Sequence, residues 1–227
     1  MFVDIDDTLW WFTENSKLAL RHTFDAFDIS SVCTYERFKE VYLKKNLELW
    51  NLYHHGLIDK DFLVNERFRF TLKECGYKGD VEKMCHLLDE EYLRFLALQS
   101  TTIPGARQLL EYLVAKGYDV NTLSNGFQGT QQQKLISGGL SDLIHRNVLS
   151  DDCGITKPQR GIFDYALEQC GADAATTVMI GDNPDADIKG AHDAGWRTIY
   201  FNIRGLDPIE GTADAVVTSL DEIQQIL

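Results

Sequence analysis

Residues 177–201 read TVMIGDNPDADIKGAHDAGWRTIYF, and the way this stretch folds decides the architecture. Residues 177–180 form a short apolar run suited to a buried strand. Residues 185–194 are amphipathic at helical spacing, and residues 197–201 are a second buried run. Two strands joined by a helix lie parallel, because a tight hairpin is ruled out by the length of the connection. The same alternation continues outward. Residues 118–123, 146–149 and 215–217 read as further strands, and residues 104–116, 131–140 and 160–169 as further amphipathic helices. The expected fold is therefore α/β, a parallel sheet with helices on both faces. Residues 2–4 would be the first strand of that sheet. They are so short a strand that native residues are expected before Met1.

Residues 14–100 differ in texture. They are rich in aromatics and follow helical periodicity, as in Phe38, Val41, Tyr42, Leu49 and in Val81, Met84, Leu88, Tyr92. This predicts a helical insert after the first strand, with a core domain of residues 1–13 and 101–227. Asp80 is an expected N-cap, and Pro104-Gly105 an expected helix start.

The chain has 227 residues, enough for a sizeable core without stapling. Its five cysteines are scattered, with no CxxC pair, so neither a disulfide framework nor a structural zinc site is indicated. That composition, with no long apolar run and no basic leader, predicts a cytoplasmic protein. The net charge of −13 argues against a nucleic acid polymer as partner and leaves room for a small phosphorylated substrate bound at a local cationic site. No membrane partner is expected, and monomer and dimer both stay open.

Ligands of parallel sheets collect at the carboxyl ends of strands, and four runs end there in reactive groups. Asp4-Ile5-Asp6-Asp7-Thr8 follows the first run. Read as extended backbone, it projects Asp4 and Asp6 to one side, where they could share a cation or divide nucleophilic and acid/base work; a turn with Asp7 or Thr8 as helix cap is the alternative. Ser124-Asn125-Gly126 offers a hydroxyl and loop N–H groups to an anion, or is an ordinary Asn-Gly loop. Lys157, before Pro158 and near a helix start, sits where the helix dipole disfavours a cation; it has an anion to neutralise or is simply solvated. Gly181-Asp182-Asn183-Pro184-Asp185-Ala186-Asp187 carries carboxylates suited to a hard divalent ion, with Asp185 as an expected helix cap.

These four constellations together resemble the haloacid dehalogenase (HAD) superfamily of phosphohydrolases: DxDxT at Asp4, Asp6 and Thr8, then Ser124, Lys157, and GDxxxxD at Gly181, Asp182 and Asp187. The resemblance implies a Rossmann-like core with a helical C1 cap formed by residues 14–100. It makes Asp4 the nucleophile of an aspartyl-phosphate mechanism and Asp6 the general acid and base. Ser124, Asn125 and Lys157 would bind the phosphoryl group. Mg²⁺ would be held by the Asp4 side chain, the Asp6 carbonyl and Asp182, with Thr8 and Asp187 in supporting positions. Asp6 favours a phosphatase over a dehalogenase, because a departing halide needs no proton. The aromatics Trp10, Trp11 and Phe12 read as hydrophobic packing or as a stacking surface for a base.

The stretches TLSNGFQGTQQQKLISGGLSDLI and GITKPQRGIFDYALEQCG look like the bacterial pyrimidine 5'-nucleotidase branch. A phosphoglycolate or sugar-phosphate phosphatase is the alternative. A non-catalytic relative that binds a phospho-ligand or a protein would lack Asp4, Asp6, Lys157 or Asp182, and all four are present.

Overall fold

The computed structural model describes every residue from Met1 to Leu227. The first strand, β1 (Phe2–Val3), is followed by α1 (Phe12–Ala26), α2 (Tyr35–His54), α3 (Lys60–Glu74) and α4 (Val81–Ala97). Strand and helix then alternate through α5 (Ala106–Ala115), β2 (Asn121–Ser124), α6 (Gln128–Ser137), β3 (Arg146–Leu149), a one-turn α7 (Ser150–Cys153) and α8 (Arg160–Cys170). β4 (Val178–Gly181) leads into a π-helical turn at Pro184–Lys189 that continues as α9 (Gly190–Asp193), and β5 (Arg197–Phe201), β6 (Ala215–Val217) and α10 (Leu220–Ile223) complete the chain. No helix is long and apolar enough to cross a membrane. The chain divides into two compact units, Met1–Thr13 with Gln99–Leu227, and Glu14–Leu98.

In the first unit all six strands are parallel, in the order β3-β2-β1-β4-β5-β6. β1 is short but central: Phe2 pairs with Asn121 on one side and Met179 on the other, and neither Phe2 nor Val3 reaches solvent. Phe2, Leu123, Val148 and Met179 from four strands pack with Ile162, Phe163 and Ala166 of α8 and with Trp196, whose indole lies against the rings of Phe2 and Phe163. Burial of these side chains against helices is what holds a parallel sheet together. The winding of the sheet reverses between β1 and β4, and ligands of such sheets bind in the crevice at that switch point.

The helix expected over residues 131–140 forms three residues earlier, as α6 at Gln128–Ser137, and two other boundaries depart from expectation for local reasons. The run at 118–123 begins its strand only at Asn121, because the N–H of Tyr118 still bonds back to Leu113 O at the end of α5. The helix after β4 is capped by Asn183, not Asp185: the Asn183 side chain accepts from the N–H of Asp185 at 3.0 Å and of Ala186 at 2.9 Å. Asp80 does cap α4, accepting from Lys83 N–H.

The second unit is helical. Thr34, Asp59 and Asp80 cap α2, α3 and α4, each accepting a backbone N–H three residues on. Phe38 and Tyr42 of α2, Phe68 of α3 and Tyr92 of α4 form its aromatic centre, with ring centroids 4.7 to 6.3 Å apart. Beside them the buried Arg67 guanidinium pairs with the buried Asp89 carboxylate at 2.5 Å.

Candidate active site

The segment after β1 is not extended. The carbonyl of Ile5 accepts from both Leu9 and Trp10 N–H, Asp7 N–H returns to Trp10 O, and Asp7 adopts φ 57°. This closed turn sends Asp4 and Asp6 to different cations, although two-residue spacing on a strand would have put them side by side. Asp4 remains aligned with the sheet through its N–H to Ile180 O, and its buried carboxylate meets Lys157 Nζ at 2.6 Å. Asp6, whose side chain keeps 27% of its exposure, meets Lys134 Nζ at 2.6 Å through Oδ1 and Gln131 Nε2 at 2.9 Å through Oδ2.

Lys157 lies in the loop between α7 and α8 and is 2% exposed. Its three N–H groups are all engaged, by Asp4 Oδ1, Asp187 Oδ1 and Leu123 O, each at 2.6 Å. The Asn125 amide clamps the same residue's backbone, donating to Lys157 O and accepting from Lys157 N–H. The Asn125 side chain, expected among the phosphate ligands, is thereby committed to the lysine loop.

Ser124 Oγ accepts from Gly126 N–H at 3.1 Å and from Gln131 Nε2 at 2.6 Å. With its lone pairs taken, the hydroxyl has its proton left to donate.

Asp182 follows β4 directly. Thr8 Oγ1 donates to its Oδ1 over a long 3.5 Å, and Arg204 Nη2 stands 2.6 Å from Oδ2. That approach is an ion pair without hydrogen-bond alignment, and the same Nη2 donates to Asp7 Oδ2 at 3.2 Å. Asp7 also accepts from Thr13 N–H and Oγ1, and so fixes the start of α1. Asp187 takes Lys157 on one oxygen and Asn183 N–H on the other. Its closeness depends on Gly181, where an added Cβ would fall 2.4 Å from the Asp187 carboxylate.

Burial governs the protonation of these groups. It pushes the Asp4 carboxyl up to about 7, against the pull of Lys157 and with reinforcement from Asp187 and Asp6. It drives Asp182 well above the usual carboxylate range, although Arg204 opposes it. For Lys157 burial works the other way, but Asp187 and Asp4 outweigh it and keep the ammonium charged. One ammonium between two carboxylates satisfies only one of them.

Asp4, Asp182 and Asp187 each bring a carboxylate oxygen to within 4.8 Å of the others. Five carboxylates here, Asp4, Asp6, Asp7, Asp182 and Asp187, face three basic side chains, Lys134, Lys157 and Arg204, an excess of two negative charges when all are ionised. Hard oxygen donors and that charge excess fit a small divalent cation. The Asp6 carboxylate stands outside this cluster and could contribute only through its backbone carbonyl.

Lys134, Gln131 and Arg204 were not anticipated from the sequence. The one available signal was on α6, whose buried positions Gln131, Lys134 and Leu135 follow the i, i+3, i+4 spacing of a core face and yet carry two polar residues.

The crevice at the switch point of this parallel sheet is lined with carboxylates, and the chain belongs to the haloacid dehalogenase-like hydrolase family, whose model matches residues 1–195. Within it, the chain is 34% identical to the pyrimidine 5'-nucleotidase YjjG of Escherichia coli, covering 100% of this chain and 96% of that protein. It is 30% identical to the pyrimidine 5'-nucleotidase PynA of Streptococcus pneumoniae over 91% of this chain and 85% of the relative. Among solved structures, magnesium-bound HAD-hydrolase YfnB of Bacillus subtilis superposes with a TM-score of 0.88 at 32% identity, covering 100% of this chain and 96% of that one.

Proposed function

We propose that this protein is a Mg²⁺-dependent phosphomonoester hydrolase that works through an aspartyl-phosphate on Asp4 and acts on pyrimidine nucleoside 5'-monophosphates. The observation that carries the reading is the buried Asp4 carboxylate at the switch point of the sheet, 2.6 Å from the Lys157 ammonium and clustered with Asp182 and Asp187. The nucleotide specificity is supported by the likeness to YjjG and PynA.

In the first half-reaction an Asp4 oxygen attacks phosphorus and forms the P–O bond of the acyl phosphate. The ester P–O bond breaks, its electron pair stays on the leaving oxygen, and that oxygen takes the proton of Asp6. In the second half a water oxygen attacks the same phosphorus and its proton passes to Asp6. The bond to Asp4 breaks, and inorganic phosphate leaves with the Asp4 carboxylate restored.

Ser124 donates its free hydroxyl proton to a phosphoryl oxygen. Lys157 turns toward the phosphoryl group as Asp4 Oδ1 is drawn into bonding, exchanging one of its three hydrogen bonds while Asp187 and Leu123 O hold the other two. Phosphoryl transfer gains mostly from such positioning and charge neutralisation. Asp4, Asp182 and the Asp6 carbonyl would hold Mg²⁺, with Thr8 and Asp187 supporting them; the ion supplies charge neutralisation for the phosphoryl oxygens. We assign Glu14–Leu98 the part of a cap that selects substrate.

The test is a panel of pyrimidine and purine nucleoside monophosphates, sugar phosphates and phosphoglycolate, ranked by kcat/KM with Mg²⁺. Pyrimidine monophosphates are expected at the top, and a lead for sugar phosphates would overturn the specificity.

A further inference from the structure

We propose that Lys134 and Gln131 are positioning residues for proton transfer: together they hold the Asp6 carboxyl in the orientation from which it exchanges a proton with the leaving oxygen. The proposal rests on the phosphatase reading above and assigns work to two side chains which that reading leaves idle.

The two residues sit on the inward face of α6, one turn apart. Lys134 is 3% exposed and Gln131 fully buried, so each has lost its hydration and needs a reason to be there. The Lys134 ammonium lies over the rings of Trp10 and Phe12, at 4.8 and 5.3 Å from their centroids, and ends at Asp6 Oδ1. The Gln131 amide nitrogen reaches Asp6 Oδ2 and Ser124 Oγ at once, at 2.9 and 2.6 Å. Its Oε1 is buried with no hydrogen-bond partner, so the residue is placed for its NH₂ alone. Gly126 makes room for it, because an added Cβ there would lie 2.3 to 2.7 Å from the Gln131 side chain.

A donor on each oxygen fixes the plane of the Asp6 carboxyl. The partly exposed side chain would otherwise turn freely, and proton transfer depends on alignment. The shared Gln131 amide also sets the spacing between the proton carrier and the hydroxyl that grips the phosphoryl group, two groups serving opposite ends of the breaking bond. If Lys134 were only a buried lysine neutralised by the nearest acid, its removal would disturb every substrate alike.

Leaving-group chemistry separates these possibilities. A nitrophenolate departs without a proton, whereas an alkoxide needs one. The parameter to measure is kcat/KM, which reports the steps up to departure of the alcohol. In Lys134→Met, which keeps the apolar stem on Trp10 and Phe12, kcat/KM is expected to fall about 10²-fold on a nucleoside 5'-monophosphate and to stay close to wild type on p-nitrophenyl phosphate. Gln131→Met should also lower the nucleotide rate but add a loss common to both substrates, because Gln131 holds Ser124 as well, and Lys134→Arg should restore most of the Lys134→Met loss. Added to Asp6→Asn, Lys134→Met should cost nothing further, since the group it positions is gone. Equal losses on both substrates, or full additivity with Asp6→Asn, would overturn the proposal while leaving the phosphatase reading intact. A wild-type protein that hydrolyses no phosphomonoester would overturn both.

Discussion

At the scale of single residues, the two carboxylates of the DxDxT turn have been separated by their surroundings. Asp4 is buried and shares the Lys157 ammonium with Asp187, whereas Asp6 is partly exposed and held by Lys134 and Gln131. The proposed role of Asp4 as nucleophile admits no substitute, so Asp4→Asn is expected to lower turnover of any phosphomonoester by more than ~10³-fold. The loss for Asp6→Asn should be roughly 10² to 10⁴-fold on alkyl phosphates. Steady-state kinetics on the two variants checks the ranking, and an Asp4→Asn enzyme with near wild-type turnover would remove Asp4 as nucleophile. The side chains that the structure gathers at strand ends, Asp4, Lys157, Asp182 and Asp187, could be picked out in the sequence because they stand at fixed offsets from apolar runs. Lys134 and Arg204 could not. Each belongs to a polar stretch that looks solvated, and their acidic partners stand 128 and 197 residues away along the chain.

Secondary-structure elements show where local pattern is sufficient and where packing takes over. The runs at 146–149, 197–201 and 215–217 form strands over those same residues, because apolar β-branched runs between polar turns have few other ways to bury themselves. The helix after β4 was legible in its period but not in its cap, since Asn183 and Asp185 are both good capping residues and only the backbone geometry chooses between them. Less visible still was the pairing of α3 with α4 through Arg67 and Asp89, both deeply buried among aromatic rings. Removing one partner strands a charge in that setting, so Asp89→Ala should destabilise the helical unit by about 3 to 5 kcal/mol. Urea unfolding followed by circular dichroism measures this; a loss below about 1 kcal/mol, the range of exposed pairs, would mean that the pair is effectively solvated. Gly181→Ala in β4 should cost about 1 to 3 kcal/mol, the usual penalty of overpacking, as the new methyl displaces Asp187.

Over the whole molecule, strand order brings together what the sequence keeps apart. Asp4 and Asp182 are neighbours because β1 and β4 pair at the point where the winding reverses, and three mutually close carboxylates are the result. In the metal-free protein this convergence works against the fold. Burial raises Asp4 from 3.8 to about 7 and raises Asp182 as well, so between about pH 4 and 7 the native state binds more protons than the unfolded chain. Stability contributed by these carboxyls is therefore fully present below their unfolded pKa and is lost as pH rises through the native one. A divalent cation held there, as proposed, would reverse the balance, since it would bind the ionised carboxylates and have to displace their protons in acid. Thermal unfolding in EDTA and in millimolar Mg²⁺ should accordingly show a Mg²⁺-induced rise in Tm that is small at pH 5 and several degrees larger at pH 8. Asp4→Asn, which carries no titrating group at that position, should lose much of this pH dependence while remaining folded. A Mg²⁺ shift that is the same at both pH values, or larger at pH 5, would mean that the cation does not bind at these carboxylates.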